Sequence, residues 1–180
     1  LRPRRQRQMC IRDRAYSAHL HGMGSNKYEY DRIGMNGRID TIQAAILIEK
    51  LSIFKSELMN RDKLAQYYKR QFLDLGTNIK LPKVILGATS SWAQFTIQLP
   101  LSCDRENFQI KMKEKGIPTA IYYPIPIHCQ KPYKKFPISS DKLKNTNLLS
   151  KCVISLPMHA YLSFEDIKYI SKIAHNIINN

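Results

Sequence analysis

Two polar side chains stand two positions apart at the start of an apolar segment, in the stretch IGMNGRIDTIQAAILIEKL (33–51). Asn36 offers a neutral amide donor, and Arg38 offers a planar guanidinium that suits a carboxylate or a phosphate. If a helix begins beside them, its free N–H groups and partial positive charge would complete an anion site. The alternative is ordinary capping by Asn36 with a solvated Arg38. The residues alone leave both open, and Asp40 fits a first-turn residue that favours the helix dipole.

Two later stretches offer further polar candidates. YPIPIH carries Tyr123 and His128 on a loop that two prolines stiffen, and SLPMHAYL carries His159 and Tyr161. Both histidines and tyrosines could hydrogen-bond a ligand. The alternative for the first stretch is a structural turn with Tyr122 or Tyr123 packed beneath it and a surface histidine, and the residues of the second stretch are ordinary when taken alone.

A long helix must position the first pair. From about Arg38 to Leu75 the chain has no Gly or Pro, and Gly76 is placed to end the helix. Apolar residues form two rows in its first half, which predicts burial on more than one side, and a single stripe in its second half. The rows are Ile39, Ile42, Ile46, Ile53 and Leu47, Leu51, Phe54, Leu58, and the stripe is Ala65, Tyr68, Phe72, Leu75. Because the helix is longer than one small core needs, we expect it to link two bodies.

Strand and helix patterns then alternate, which predicts a small α/β domain. In WAQFTIQL (92–99) the alternation is that of a half-buried strand, with Ala93, Phe95, Ile97 and Leu99 toward the core. The predicted elements after it are a helix over about 104–115, a strand over 117–123, a helix near 141–150, a short strand ending at Pro157 and a final helix. That helix opens with a capping pattern, Ser163 and Asp166, and carries the stripe Ile167, Ile170, Ala174, Ile177.

The net charge of +15 is unevenly placed, because residues 1–14, LRPRRQRQMCIRDR, hold six arginines and one aspartate. By composition this is a basic arm for phosphates. MCIRDR, however, back-translates as ATG TGT ATA AGA GAC AG and one further base, which is identical to a transposon end used in some DNA-library adapters. We therefore expect residues 1–14 to be non-native and the true coding sequence to be truncated near Ala15.

Composition excludes several classes. A 43% hydrophobic and 24% charged chain of 180 residues can bury a core. It has no run of eighteen apolar residues and no signal-peptide core, so we expect a cytoplasmic protein without a membrane partner. Four scattered cysteines without a CxxC pair indicate reduced thiols and no metal site. We expect no nucleic-acid partner, because no recognition helix and no interleaved basic and aromatic strand occur.

Three stretches in order, GMNGRIDTIQAAILIEKL, GIPTAIYYPIPIHCQKPY and SLPMHAYL, resemble the DegT/DnrJ/StrS-type nucleotide-sugar aminotransferases. The resemblance covers about residues 18–178 and implies an α/β fold, the C-terminal part of a fold type I transferase that uses pyridoxal 5'-phosphate. It is greatest to enzymes that aminate UDP-2-acetamido-2-deoxy-3-oxo-glucuronate for surface polysaccharides such as O-antigen. The implied organisation is 1–14 non-native, 15–37 the end of a large cofactor domain, 38–76 an inter-domain helix and 77–180 a small C-terminal α/β domain.

The resemblance also implies roles for particular residues. Asn36 would reach from one subunit of a homodimer into its neighbour's active site and hold the cofactor phosphate, and Arg38 would face the sugar carboxylate. His159 and Tyr161 would approach the diphosphate of the UDP-sugar, and the loop of Tyr123 would form a wall of the substrate site. His21 with Gly22 matches a family position near the active-site floor. The family often has proline where this chain has Ala160.

The catalytic lysine of the family has no counterpart here. That lysine forms a Schiff base with the cofactor while glutamate donates the amine, and it lies upstream in a Ser-Lys context before a glycine-rich turn. No such context occurs in these residues, and the family's aspartate for the pyridinium nitrogen is also upstream. We therefore expect a fragment that is inactive alone. Two rival hypotheses are a basic nucleic-acid-binding module and a natural regulatory subunit without the lysine.

Overall fold

The computed structural model describes residues 4–26, 29–139 and 142–179, with side chains from residue 9 onward. It contains two compact units, Leu1–Ile53 and Phe54–Asn180. The boundary between them falls inside one helix, so the predicted limits at 37 and 76 stay predictions. Within the described ranges, none of the helices combines the length and the apolarity needed to cross a bilayer.

Helix α1 (Arg4–His19) opens the first unit, and the described residues 20–26 and 29–40 form a loop before α2 (Thr41–Asp74). The long helix predicted over about 38–75 is confirmed. It ends as predicted at Gly76, which has φ +63° and donates its N–H to the Leu73 carbonyl. Glycine adopts this left-handed backbone conformation without a steric penalty, because it has no Cβ.

The two halves of α2 differ in burial. Its second half buries the predicted stripe, with Ala65, Tyr68 and Phe72 inside the core and Leu75 half-buried. The apolar rows of the first half are largely exposed, with Ile42 at 77% and Leu51 at 68%. The prediction that this half is buried on more than one side is therefore wrong for the described residues. These apolar rows would be buried by a further surface, and the described residues do not provide one.

A two-stranded antiparallel sheet, β1 (Phe95–Gln98) with β2 (Val153–Leu156), forms the centre of the second unit. Phe95 opposes Leu156 and Gln98 opposes Val153. The predicted alternation is confirmed for Phe95, Ile97 and Leu99, which are fully buried. Ala93 is exposed, contrary to the prediction, because it precedes the paired residues, and the buried Trp92 there adopts a left-handed backbone with φ +46°.

The strand predicted over 117–123 does not form. Only Ala120 pairs, exchanging two backbone hydrogen bonds with Ser155. Pro118 has no N–H to donate, and the Thr119 carbonyl accepts instead from the Gln109 side chain at 3.2 Å. The ladder therefore stops at a single bridge, and the segment continues as a loop that runs toward Tyr123.

Three helices complete the second unit: α3 (Arg105–Glu114), α4 (Lys144–Cys152) and α5 (Phe164–Asn179). Each was predicted within a few residues. The Asp104 side chain caps α3 by accepting from the N–H groups of Glu106 and Asn107. The core that α2, α3, α5 and the sheet enclose is apolar, and its largest fully buried side chains are Tyr68, Phe72, Phe95 and Phe108.

Candidate active-site surfaces

Asn36 and Arg38 lie together in the first unit, on the loop that precedes α2. Arg38 Nε donates to Asn36 Oδ1 at 3.1 Å, and both side chains are exposed. The backbone around them is held on the end of α1. Leu20 forms an antiparallel bridge with Asn36, and the Gly37 N–H donates to the His19 carbonyl at 2.9 Å. The sequence-predicted pair is thus brought together on an ordered loop.

Two glycines make this loop possible. Gly22 has φ +83°, and a Cβ on it would lie 1.7 Å from the Arg32 carbonyl oxygen. A Cβ on Gly34 would lie 2.2 Å from the Gly22 nitrogen. The two arms of the loop therefore touch backbone to backbone at these glycines, and a side chain on either glycine would push the arms apart. This close approach sets the position from which Asn36 and Arg38 project.

The geometry decides against ordinary capping by Asn36. Helix α2 begins at Thr41, so Asn36 is too far from its first turn to cap it. The residue beside the helix start is Asp40, whose carbonyl accepts from the Ala44 N–H at 2.8 Å. Asp40 thus lies one position before the helix and not inside its first turn, although its charge still suits the positive end of the dipole.

The donor set fits an oxyanion. Because Asn36 Oδ1 accepts from Arg38, the amide is oriented with its Nδ2 group away from that bond, and Nδ2 donates to none of the described residues. The two terminal guanidinium nitrogens of Arg38 also contact no described carboxylate. A neutral donor, a planar cation and a nearby helix start are the groups that bind a phosphate or a carboxylate.

His21 lies in the same loop, with φ +61° and an exposed side chain. Its backbone N–H donates to the Met35 carbonyl at 3.0 Å. The backbone of this residue therefore belongs to the framework that holds the Asn36 loop. Its imidazole has no hydrogen bond within the described ranges, so a role for this ring stays a prediction.

His159 and Tyr161 lie in the second unit, between β2 and α5. The Tyr161 N–H donates to His159 Nδ1 at 3.2 Å, and the two rings tilt toward each other with centroids 6.4 Å apart. Since Nδ1 accepts this bond, the neutral ring carries its hydrogen on Nε2. The Tyr161 hydroxyl donates to the carboxylate of Glu57 on α2. That hydroxyl therefore anchors the segment to the helix.

Tyr123 and His159 line two different cavities, which share Tyr122. Tyr123 lines a cavity of about 580 Å³ beside the first residues of the proline loop. His159 lines a cavity of about 360 Å³, together with Thr119, whose buried Oγ1 has no hydrogen-bond partner among the described residues. Tyr122 and Tyr123 are both exposed, so the alternative of a tyrosine packed beneath the turn is wrong.

His128 has a structural partner. Its Nε2 lies 3.0 Å from Asn147 Oδ1 at the start of α4, and the Asn147 amide donates in turn to the Lys142 carbonyl at 3.1 Å. The ring faces a separate cavity of about 420 Å³, lined by Ile127 and Tyr133 among others. This arrangement ties the proline loop to α4.

Sequence reasoning missed Glu57, which is only 6% exposed. A signal was present, because this residue follows Ile53 and Phe54 at four- and three-residue steps and so interrupts an apolar row with a carboxylate. Thr119 was also missed, since nothing in its neighbourhood distinguishes it. None of the described lysines is buried, so no candidate for a desolvated catalytic amine emerges from these ranges.

Comparison with known proteins confirms the resemblance. The DegT/DnrJ/EryC1/StrS aminotransferase family matches residues 8–174. The UDP-2-acetamido-2-deoxy-3-oxo-D-glucuronate aminotransferase of Pseudomonas aeruginosa is 38% identical over 153 residues, which are 83% of this chain and 39% of the relative.

Solved structures agree. A DegT/DnrJ/EryC1/StrS aminotransferase from Brucella abortus superimposes with a TM-score of 0.83 and 36% identity, over 93% of this chain and 43% of that one. NtdA from Bacillus subtilis, solved with its bound cofactor PMP, gives a TM-score of 0.76 and 26% identity, over 91% and 38%. The chain thus spans about two fifths of the length of these proteins and has part of a fold type I architecture.

Proposed function

The chain belongs to the DegT/DnrJ/EryC1/StrS aminotransferase family of pyridoxal-phosphate enzymes, and we propose that the protein transfers an amino group from glutamate to a keto sugar carried on a nucleotide. The observation that supports this most directly is the Asn36 and Arg38 pair. The pair is exposed, is joined by a 3.1 Å hydrogen bond, and keeps donors on both side chains that bond none of the described residues.

Pyridoxal phosphate, when bound, supplies the carrier of the amino group and the electron sink for the proton transfers. The residues of this chain fit its phosphate. Asn36 Nδ2 and the first-turn N–H groups of α2 are neutral donors. They can hydrogen-bond the phosphate oxygens without neutralising the charge of the phosphate. We assign Asn36 to the cofactor phosphate on this basis.

Arg38 is assigned to the carboxylate of an acidic sugar. Its Nε is occupied by Asn36, which fixes the plane of the guanidinium and leaves the edge with the two terminal nitrogens for a forked pair of hydrogen bonds. A neutral sugar would leave these donors without a charged partner. The substrate that this favours is a UDP-linked 3-keto uronic acid, as the name of the Pseudomonas aeruginosa relative also suggests.

The diphosphate end is assigned to the second unit. His159 offers an Nε2–H donor beside the cavity of about 360 Å³, and Tyr161 holds that ring through its backbone N–H. Tyr123, 74% exposed, offers an aromatic wall to the neighbouring cavity. Its hydroxyl is a further donor for the sugar or the diphosphate.

The protein is also proposed to act as a homodimer in which Asn36 serves the neighbouring subunit's cofactor. The exposed apolar rows on the first half of α2 supply the kind of surface that such an assembly covers. The 180 residues alone are proposed not to complete the transfer. Their described lysines are exposed or half-buried, and none lies in the sequence context of the family's cofactor lysine.

Binding of two sugars to the 180-residue chain tests the substrate assignment. UDP-N-acetylglucosaminuronate, a stable relative of the keto sugar, is compared with UDP-N-acetylglucosamine, which lacks the carboxylate. We expect the uronate to bind about tenfold more tightly by calorimetry, since a charge-assisted pair contributes about 1.5 kcal/mol or more. Arg38→Gln should abolish the difference, whereas Arg32→Gln, an equal charge change in the same loop, should keep it.

Equal binding of both sugars to the unaltered chain would overturn the acidic-sugar assignment, and so would failure of the uronate to bind. Inactivity is tested separately. The chain is incubated with pyridoxal phosphate, reduced with borohydride and digested for mass spectrometry. We expect no stoichiometric modification of one lysine, and such a modification would contradict the proposal that the residues lack the catalytic amine.

A further inference from the structure

A lysine-lined groove runs along the second half of α2, away from the residues assigned above. It has a volume of about 1080 Å³, comparable with the larger cavities that hold small-molecule ligands. Lys55, Lys63 and Lys69 line its helix side, and the opposite side is formed by the segment around Thr89 and Ser90. We call this the lysine groove. It contains none of the residues that the proposed aminotransferase function uses.

Trp92 fixes the shape of the groove. Its side chain is 4% exposed, and its indole N–H donates to Asp62 Oδ1 at 2.8 Å. Its backbone N–H donates to Ser90 Oγ at 3.1 Å. A left-handed backbone, here with φ +46°, is unfavourable for a residue with a Cβ, and these contacts hold Trp92 in it. Trp92 therefore links the Ser90 side of the groove to Asp62 on α2.

The same tryptophan holds one of the cations. Lys69 Nζ lies 4.8 Å from the centre of the Trp92 ring, within the range of a cation–π interaction. Lys69 also lines the groove, and its ammonium forms no ion pair with a carboxylate of the described residues. The indole thus reports directly on whether Lys69 stays over the ring.

Positive charge dominates the groove. Against three lysines there is one lining carboxylate, Asp62, and its Oδ1 accepts both from Trp92 and from Gln66 at 3.4 Å. Opposite it, the Ser90 hydroxyl accepts from the Trp92 N–H, so its own hydrogen is free to point into the groove. Ammonium groups with facing hydroxyl donors suit the oxygens of a phosphate.

The spacing of the three lysines along α2 favours an extended anion. At about 1.5 Å per residue, Lys55 and Lys63 lie about 12 Å apart along α2, and Lys63 and Lys69 about 9 Å apart. Lys55 and Lys69 are then about 21 Å apart, so a single phosphate cannot contact all three lysines. We propose that the lysine groove is a second binding site of this protein, for an extended oligophosphate such as the chain of a nucleoside triphosphate or a short polyphosphate.

The single tryptophan of the chain makes the test direct. The protein is titrated with sodium tripolyphosphate, which does not absorb near the indole, while Trp92 emission is recorded. Binding draws Lys69 toward the anion and away from the ring, so we expect a saturable change in emission. Lys63→Met, which removes a cation without touching Trp92, should raise the apparent Kd about tenfold.

Lys168→Met is the matched control, because it removes one exposed lysine from α5, outside the groove. It should change the Kd by less than about twofold, since a distant surface charge is screened. Sodium sulfate at equal ionic strength should give no saturable change. The proposal is overturned if tripolyphosphate gives none either, or if both variants weaken binding equally, which would indicate general attraction to a basic chain. Circular dichroism confirms that the variants are folded.

Discussion

The hydroxyl of Tyr161 donates to the carboxylate of Glu57, a residue 104 positions earlier in the chain. The ring of Tyr161 is 70% exposed, whereas Glu57 is 6% exposed on α2. A buried carboxylate is costly unless it is hydrogen-bonded. This pair therefore joins the segment that carries His159 to the long helix, and a solvent-facing tyrosine supplies the donor that a buried acid requires.

Removing that donor should destabilise the second unit. We expect Tyr161→Phe to lower the free energy of unfolding by about 1–3 kcal/mol, because Glu57 would lose a hydrogen bond without regaining water. Urea denaturation followed by circular dichroism measures the change. Tyr133→Phe, at an exposed tyrosine, is the control and should have little effect. An equal loss in both variants would show that the Tyr161 hydroxyl does not act through Glu57.

The sheet at the core offers a volume test. Ile97 is fully buried on β1, and Ile110 is 57% exposed on α3. We expect Ile97→Val to reduce the free energy of unfolding by about 0.5–1.5 kcal/mol, since the lost methylene leaves a cavity. Ile110→Val should change it by less than about 0.5 kcal/mol. Comparable effects at the two positions would contradict the assignment of Ile97 to the core.

Most helices of the second unit were predictable because their first and last residues are set by side chains close in sequence. The helix start at Asp104, the helix end at Gly76 and the Ser163 capping pattern each depend on neighbours within a few residues. The failed strand at 117–123 depended on a contact ten positions away, where the Gln109 side chain takes the Thr119 carbonyl. The alternation of apolar and polar residues in the sequence gives no information about such a hydrogen bond.

The candidate site was predictable only in part. The residue types and spacing of Asn36 and Arg38 indicated an anion site, but they could not exclude capping until the first residue of α2 was fixed at Thr41. Glu57 and Thr119 were not identified from the sequence, because burial of one polar atom depends on residues distant in sequence. The apolar rows of α2 predicted burial on more than one side, but the described residues leave most of these side chains exposed.

The start of α5 should give the stability of the protein a pH dependence. The Ser163 N–H donates to Asp166 Oδ2 at 2.9 Å and its hydroxyl at 2.8 Å. These bonds, with a smaller contribution from His159, lower the pKa of Asp166 from its ordinary 3.8. A lowered pKa means that this stability is present above pH 3.8 and is lost as the pH falls through the lower pKa of the folded state.

We therefore expect Asp166→Asn to flatten the acid side of the stability profile. Melting temperatures measured by circular dichroism at about pH 5, 4 and 3 should fall less steeply in this variant than in the unaltered chain. Asp74→Asn, at an exposed aspartate near the end of α2, should leave the slope unchanged. Parallel slopes in all three proteins would remove Asp166 from the account of acid sensitivity.

Gly22 and Gly87, which both have positive φ, provide a matched test of the Asn36 loop. They have φ of +83° and +78°, so alanine should carry a similar backbone penalty of about 1 kcal/mol at either position. A Cβ on Gly87 would meet nothing within 4 Å, whereas one on Gly22 would lie 1.7 Å from the Arg32 carbonyl oxygen. Only Gly22→Ala should therefore force the loop apart.

The measurement is the NMR spectrum of the Asn36 side-chain amide and the Arg38 Nε–H, which report their 3.1 Å hydrogen bond. Gly22→Ala should shift both signals and remove the preference for the uronate, because the two side chains lose their common framework. Gly87→Ala should leave both signals and the preference intact. If Gly22→Ala keeps the spectrum of the pair, the close approach of Gly22 to Arg32 does not position the site, and other backbone contacts such as the bridge from Leu20 to Asn36 hold the loop.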